Sequence, residues 1–372
     1  MNELAIKDPS SAIRRYHCPS CSADLVFEPK DGCLECPYCH RKEQIPASAE
    51  EIRENSYQEY LAERPDQMKV LAENAQEIQC SSCGALVTFT PPEVTGECSF
   101  CGARFVNQPK SADPAIAPKA LLPFVWTQAQ ALERVKAWLA SRWFAPNALK
   151  QVARPEKLQG IYLPFWTYDS YTVSHYTGKR GEYYYVTETS TENDSQGKQV
   201  TRTRQVRHTR WYPAAGTVSR WFDDVLIAAS RALPRPRLAA LEPWDLQQLK
   251  PYDSAFLAGY KAQRYQVSLE EGFQGAQEVM AVQIREDARQ DIGGDEQVVD
   301  RVDTAYSGIT FKHLLLPVWL TAYRFNQKVY QVMINARTGE VQGERPFSPW
   351  KIAALVIFIL MGILLLIYFG GK

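Results

Sequence analysis

Eight cysteines stand in four C-x-x-C pairs within the first 101 residues of this 372-residue chain: Cys18 and Cys21, Cys36 and Cys39, Cys80 and Cys83, Cys98 and Cys101. Within each half, fourteen residues separate one pair from the next. A two-residue spacer lets both sulfurs of a pair face one point, and two pairs then supply four sulfurs. Four soft thiolates complete the tetrahedron that zinc prefers. The spacing predicts two Zn2+ ions held by those eight ligands. With four protein ligands no position stays open for water or substrate, so such sites hold structure and run no reaction. Zinc binding supplies on the order of 10–16 kcal/mol of folding free energy to small modules, which have too little core to fold otherwise.

The two halves are an internal repeat with an offset of 62. Ala23 and Phe27 match Ala85 and Phe89, Pro29 and Glu35 match Pro91 and Glu97, and Tyr38 matches Phe100. The ninth cysteine, Cys33, forms a further C-x-x-C with Cys36 and could compete as a ligand. Its counterpart in the repeat is Thr95, which argues against that role. His17 and His40 flank ligands and read as surface or supporting groups. Glycine after the second cysteine of a knuckle helps the turn. Gly84 and Gly102 supply it in the second half, where the first half has Ser22 and His40.

Around these sites the chain divides into a first zinc ribbon (16–42), a charged helical linker (48–78), a second ribbon (79–106), a Pro-rich linker (107–119) and a larger region (120–345). Ser48 and Glu51 have capping-box spacing at the start of the helical linker, and Pro65 breaks it. The larger region reads as α+β. Thr127 to Trp143 suits an amphipathic helix with Leu132, Val135 and Leu139 on one stripe, and Ser268 to Arg289 suits a second. Each is followed by a Leu-Pro-aromatic segment, LPFWTYDSY from Leu163 and LPVWLTAYRF from Leu316, expected to turn into a strand. This suggests two duplicated helix–strand–strand units sharing one sheet or packed as neighbours. A hairpin is expected from Glu182–Asp194 and Lys198–Tyr212, placing Glu188 opposite Arg204 and Glu182 opposite Arg210. A second joins VYQVMIN to EVQGE through Ala336–Gly339.

Ile352 to Phe369 is eighteen residues without a charge. At ~1.5 Å per residue it spans roughly 27 Å, close to a bilayer core. Trp350 and Tyr368 sit at its edges as interfacial aromatics do. The span is thus read as one transmembrane helix, 350–369. Arg337, Arg345 and Lys351 precede it, against Lys372 alone beyond, so the positive-inside rule puts the N-terminal region in the cytoplasm. Thiolate ligands need that reducing side too. No signal peptide is readable at the N-terminus.

Net charge is zero, but residues 1–106 hold 10 Lys/Arg against 17 Asp/Glu. A module that grips phosphates needs the opposite balance, which argues against nucleic acid as the ribbons' partner. The run Lys198 to Arg210 could meet anionic lipid or nucleic acid, or its arginines could simply pair with glutamates across the hairpin. Asp291–Gln297 and Phe222–Asp224 each bring carboxylates close together; Gly293-Gly294 between acids reads as a turn and not a metal loop, since it lacks the alternating oxygen ligands of a calcium loop. Tyr183–Tyr185 and the LPxW tryptophans read as core. No P-loop, H-E-x-x-H or G-x-S-x-G occurs, and nothing argues for an enzyme.

With its paired ribbons, the segments GIYLPFWTYDSYTVSHYTGKRGEYYY, FDDVLIAAS, LEPWDL, DIGGDEQ and TFKHLLLPVWLTAYRF, and an apolar C-terminal helix, the chain resembles the bacterial membrane-anchored double zinc-ribbon proteins of the YdjG type. Members are often labelled TFIIB-type zinc ribbon or primosomal protein N'-like, although this chain has no helicase motor. The resemblance implies an anchored adaptor of the bacterial inner membrane, acting in membrane stress beside PspA-type and SPFH-type proteins. The alternative is a membrane-tethered nucleic-acid-binding ribbon protein. Neither the partner nor the oligomeric state is legible here.

Overall fold

A computed structural model describes residues 16–48, 50–62, 76–80, 85–89, 95–98, 100, 104–106, 110–111, 116–143, 158–193, 199–325 and 328–370. Strands β1 (Val26–Glu28), β2 (Cys33–Glu35) and β3 (Lys42–Glu43) make a small N-terminal sheet. Strand β4 (Asn55–Ser56) and helix α1 (Tyr57–Ala62) follow, then β5 (Gln76–Gln79), β6 (Leu86–Phe89), β7 (Thr95–Glu97), β8 (Arg104–Val106) and β9 (Lys110–Ser111). The body comprises β10 (Ala120–Leu121), α2 (Gln128–Ala140), β11 (Gln159–Asn193), β12 (Gln199–Ala228), α3 (Arg235–Ala239), β13 (Lys250–Pro251), β14 (Lys261–Ala262), α4 (Leu269–Ile292), β15 (Glu296–Phe325), β16 (Lys328–Asn335) and β17 (Val341–Gly343). Helix α5 (Pro349–Gly370) ends it.

The body corrects the expected α+β middle region: it is mainly β. Among the described residues one nine-stranded sheet, ordered β12-β11-β15-β10-β13 with β4, β14, β16 and β17 attached, carries it. Strands β11, β12 and β15 are 35, 30 and 30 residues long, far beyond ordinary strands. Their Thr, Tyr and Val content favours strand. Their buried face is partly polar, with Thr167, Ser170, Thr172 and Ser174 all buried, so period-two hydrophobicity understates them.

The Leu-Pro-aromatic segments are not turns, as expected, but lie inside β11 and β15, paired antiparallel as Leu163↔Leu316 and Tyr162↔Pro317. Proline cannot donate to a ladder, and both prolines sit where an outer ladder breaks. Pairing of β12 with β11 stops at Phe165↔Ala228, one residue short of Pro164. Pro317 falls between β10, which ends opposite Leu315, and β16, whose last residue Asn335 lies opposite Val318. The order helix, long strand, returning strand does occur twice, as α2-β11-β12 and α4-β15-β16, within one sheet.

Helix starts follow local chemistry. Thr127 and Gln130 form a reciprocal capping box on α2, and Ser268 accepts from Glu271 N–H at α4. The Ser48 start differs from expectation. Ser48 Oγ accepts from Glu50 N–H without a helix, and α1 begins only after Ser56, whose Oγ accepts from Glu59 N–H. Of the rest of the expected 48–78 helix, 63–75 lie outside the described residues and 76–78 belong to strand β5, against expectation. Gly293 and Gly294, at φ 64° and 78°, turn α4 into β15 as the Asp291–Gln297 reading expected.

One face of the sheet packs Trp166, Tyr168 and Phe311 under Leu269, Phe273, Ala276 and Met280 of α4 and its approach. Trp166 Nε1 donates to Val267 O at 3.0 Å and Tyr168 OH to Leu269 O at 2.6 Å, so the buried polar ends of both rings are satisfied. On the other face Leu163, Phe165, Leu314 and Leu316 meet Leu238 and Leu241, and also Cys80, Ala85 and Phe100 of the second cysteine half.

Candidate metal centre

The sulfurs of Cys18, Cys21, Cys36 and Cys39 all lie within 4.8 Å of one another. Cys18 and Cys39 are 3.4 Å apart, as are Cys21 and Cys36, and Cys21 and Cys39 are 3.7 Å apart. A tetrahedron with Zn–S bonds near 2.3 Å has sulfur–sulfur edges of about 3.8 Å. The donor set and its spacing fit a zinc ion, which would clamp the two knuckles together. Cys33, fully buried on β2, stands outside this group, as the repeat implied.

The backbone prepares the sulfurs. Cys39 N–H donates to Cys36 Sγ at 3.5 Å. That bond, with a second from Tyr38 and against the cost of desolvation, holds the Cys36 thiol down to about 6. Ala23 N–H pulls Cys21 the same way, but the crowding sulfurs of Cys36, Cys39 and Cys18 outweigh it and push Cys21 up to about 12. Four thiols this close cannot all ionise by themselves; a dication removes the penalty and releases their protons. Ser22 and His40, which follow the second cysteine of each knuckle, both adopt the left-handed conformation, at φ 60° and 58°.

The small sheet that carries these cysteines is docked, not free. Phe27 N–H donates to Ala258 O at 2.9 Å, and its ring meets Phe256 edge-on at 5.3 Å. Tyr16 OH and Ser254 Oγ lie 2.8 Å apart. Gly259, at φ 82°, lies under Val26, where an added Cβ would come within 1.7 Å of Cγ1. Cys18 and Cys36 thereby belong to one core with Phe124 and Tyr162 of the body.

The repeat is visible in the backbone. Strands β2 and β3 pair Glu35↔Lys42 and Leu34↔Glu43; β7 and β8 pair Glu97↔Arg104 and Gly96↔Phe105, each shifted by 62. Cys80 N–H donates to Ala85 O at 2.8 Å, as Cys18 N–H does to Ala23 O. Of the second predicted ligand set, Cys80 and Cys98 are buried. Cys83 and Cys101, with Gly84 and Gly102, lie outside the described residues, and a second metal group is not shown.

No family model matches the chain. It is similar to the uncharacterized protein YdjG of Bacillus subtilis (strain 168): 25% identical over 345 residues, covering 92% of this chain and 93% of that one. No solved structure matches. The likeness to YdjG runs the length of the molecule and carries no activity with it.

A second cluster escaped sequence reasoning. Glu54, Asp169 and Asp223 bring carboxylates within 4.8 Å of each other. Lys312 already supplies the positive charge there, 2.9 Å from Glu54 and 2.7 Å from Asp224. Burial and the neighbouring Glu54 raise the Asp169 carboxyl well above the usual range. Desolvation works against Glu54, but hydrogen bonds from Asp169, Thr310 and Lys312 outweigh it and lower its carboxyl. The two carboxyls are thereby driven apart, Asp169 toward its neutral form and Glu54 toward its charged form. The cluster fastens β4 to β15, where Ser56 pairs with Thr310. No periodic pattern signals Asp169 or Lys312; only β11–β15 pairing brings them together.

The expected hairpin register holds: Glu188 faces Arg204, with an ion pair at 3.3 Å, and Glu182 faces Arg210. Arg207 and Arg210 lie over the Tyr183 and Tyr184 rings. Trp166 and Trp319 are core as expected, but Tyr185 is 62% exposed, so the tyrosine triplet is not.

Proposed function

We propose that the chain is a membrane-anchored adaptor. Helix α5 fixes it in a bacterial inner membrane with the cysteine-bearing region in the cytoplasm. The docked ribbon and sheet recruit a cytosolic partner, in membrane-stress response alongside PspA- or SPFH-type proteins, and zinc serves as a structural clamp. The observation that carries this reading is α5: over Pro349–Phe369 its mean hydropathy is 3.1 and none of its apolar window is buried in the protein. An apolar helix with no packing surface of its own needs another apolar phase. At its near end Trp143, Phe347 and Trp350 are exposed, and Lys351 Nζ donates to Trp143 O at 3.0 Å. Aromatics in that position suit the headgroup layer. Arg337, Arg345 and Lys351 on the same side favour a cytoplasmic location for the body.

The nucleic-acid alternative has less support, because residues 1–106, which carry the cysteine pairs, hold 10 Lys/Arg against 17 Asp/Glu. The test is membrane fractionation followed by affinity capture from detergent extract. Recovery of the protein with membranes, together with a PspA- or SPFH-like protein, is the expected result. Capture of nucleic acid in a salt-dependent manner, with no such protein, would replace it.

A further inference from the structure

Strand β15 accompanies β11 only as far as Gly181, opposite Glu296. Beyond it β11 and β12 continue as a two-stranded arm of twelve residue pairs, from Glu182↔Arg210 to Asn193↔Gln199. At ~3.4 Å per residue that is about 40 Å of projecting ribbon. A hairpin with no third strand is marginal in water. Among the described residues neither outer edge of the arm has a strand partner.

The two edges differ in charge. Residues 182–193 include Glu182, Glu188 and Glu192 and no Lys or Arg; residues 199–212 include Arg202, Arg204, Arg207 and Arg210 and no acid. At the root of the arm Tyr184, Tyr185 and Val186 are 39%, 62% and 41% exposed. Tyrosine and arginine are the residue types that interfaces favour.

We propose that this arm is a self-association surface whose occupant is the arm of a second copy, with the basic β12 edge of one chain adding to the acidic β11 edge of the next. Pairing two β12 edges would set arginines beside arginines, and pairing two β11 edges would set glutamates together. Only the mixed joint opposes the signs. It also continues the pattern inside the arm, where Glu188 already faces Arg204. The charges therefore select one joint and reject two. Hairpins stacked this way point in the same direction and pair antiparallel, as β11 and β12 do within a chain. Every α5 then leaves on the same side, which copies held in one bilayer require; this clause alone rests on the anchored reading. The joint is head-to-tail, so the assembly closes as a ring or extends as a row.

The experiment is mass determination by light scattering on the full chain in detergent and in nanodiscs. Wild type is expected to exceed one copy in a concentration-dependent manner. Arg204→Glu/Arg207→Glu/Arg210→Glu is expected to fall to one copy. That variant also loses the contact to Glu188, so a second variant adds Glu182→Arg/Glu188→Arg, which inverts the net charge of both edges and restores opposite charges within the arm. It should associate with itself again, yet fail to co-purify with differently tagged wild type, where each β12-to-β11 joint meets like charges. A wild type of one copy at all concentrations overturns the proposal. So does an oligomer indifferent to the arginine changes, or free mixing of inverted and wild-type chains. Wild type that needs no detergent would sink the anchored reading and leave this mass measurement intact.

Discussion

Ser22 and His40 occupy left-handed backbone that costs an ordinary residue roughly 1–2 kcal/mol, while glycine adopts it freely at a smaller entropic cost. Ser22→Gly and His40→Gly should each stabilise the zinc-loaded ribbon by about 0.5–1 kcal/mol, His40 less because it also contacts Glu35 at 3.0 Å. Chelator competition, following the zinc released, measures this. Asp169 makes a different residue-level prediction. Its carboxyl is raised to about 7 from an ordinary 3.8, so the folded chain holds a proton that the unfolded chain gives up. The stability this adds is complete below the unfolded value and is lost as pH rises through the folded one. Hydrogen exchange of Asn55–Ala62 should therefore quicken, beyond the intrinsic rate, as pH climbs from 3.8 to about 7, and level off above that. Asp169→Asn keeps a donor toward Glu54 and cannot titrate, so it should flatten that dependence; an unchanged pH response would remove Asp169 as its source.

At the level of elements, the ribbon and the body are coupled through β1. Phe27 is 3% exposed and its ring sits among Phe256 and Tyr260. Phe27→Ala should weaken docking by about 3–5 kcal/mol while leaving all four sulfurs in place. The expected signature is faster exchange across 254–260 with zinc content unchanged. Zinc removal should give the same loosening by the opposite route, since the clamp that orders β1 is then gone. If chelation left 254–260 fully protected, the docking would not depend on the metal.

For the whole molecule, α5 is set apart from the rest by its environment. Its apolar window has no packing within the protein, and its contact with the body is the Lys351–Trp143 hydrogen bond at its first turn. A chain ending at Ser348 should therefore move from the membrane to the soluble fraction with its thermal transition and zinc content little altered. Aggregation of that truncated chain, with loss of zinc, would show that α5 supports the fold and does not merely hold it in place.

The amino-acid sequence alone determined the features whose cause is local. The four-sulfur site of Cys18, Cys21, Cys36 and Cys39 follows from spacing, the starts of α2 and α4 from capping residues, and α5 from an uninterrupted apolar run. The Glu188–Arg204 register followed too, because the turn length counts residues outward along both strands. Tertiary structure decided the rest. Strands as long as β11 and β15 exist because each lends the other its hydrogen-bonding edge over more than twenty residues, a gain no window of sequence contains. Asp169, Lys312 and Glu54 are separated by more than a hundred residues at each step and meet only because β4 and β11 flank one stretch of β15. Docking of Phe27 is equally non-local: its partners lie beyond residue 250, and burial is a property of the surface it meets, not of the residue itself.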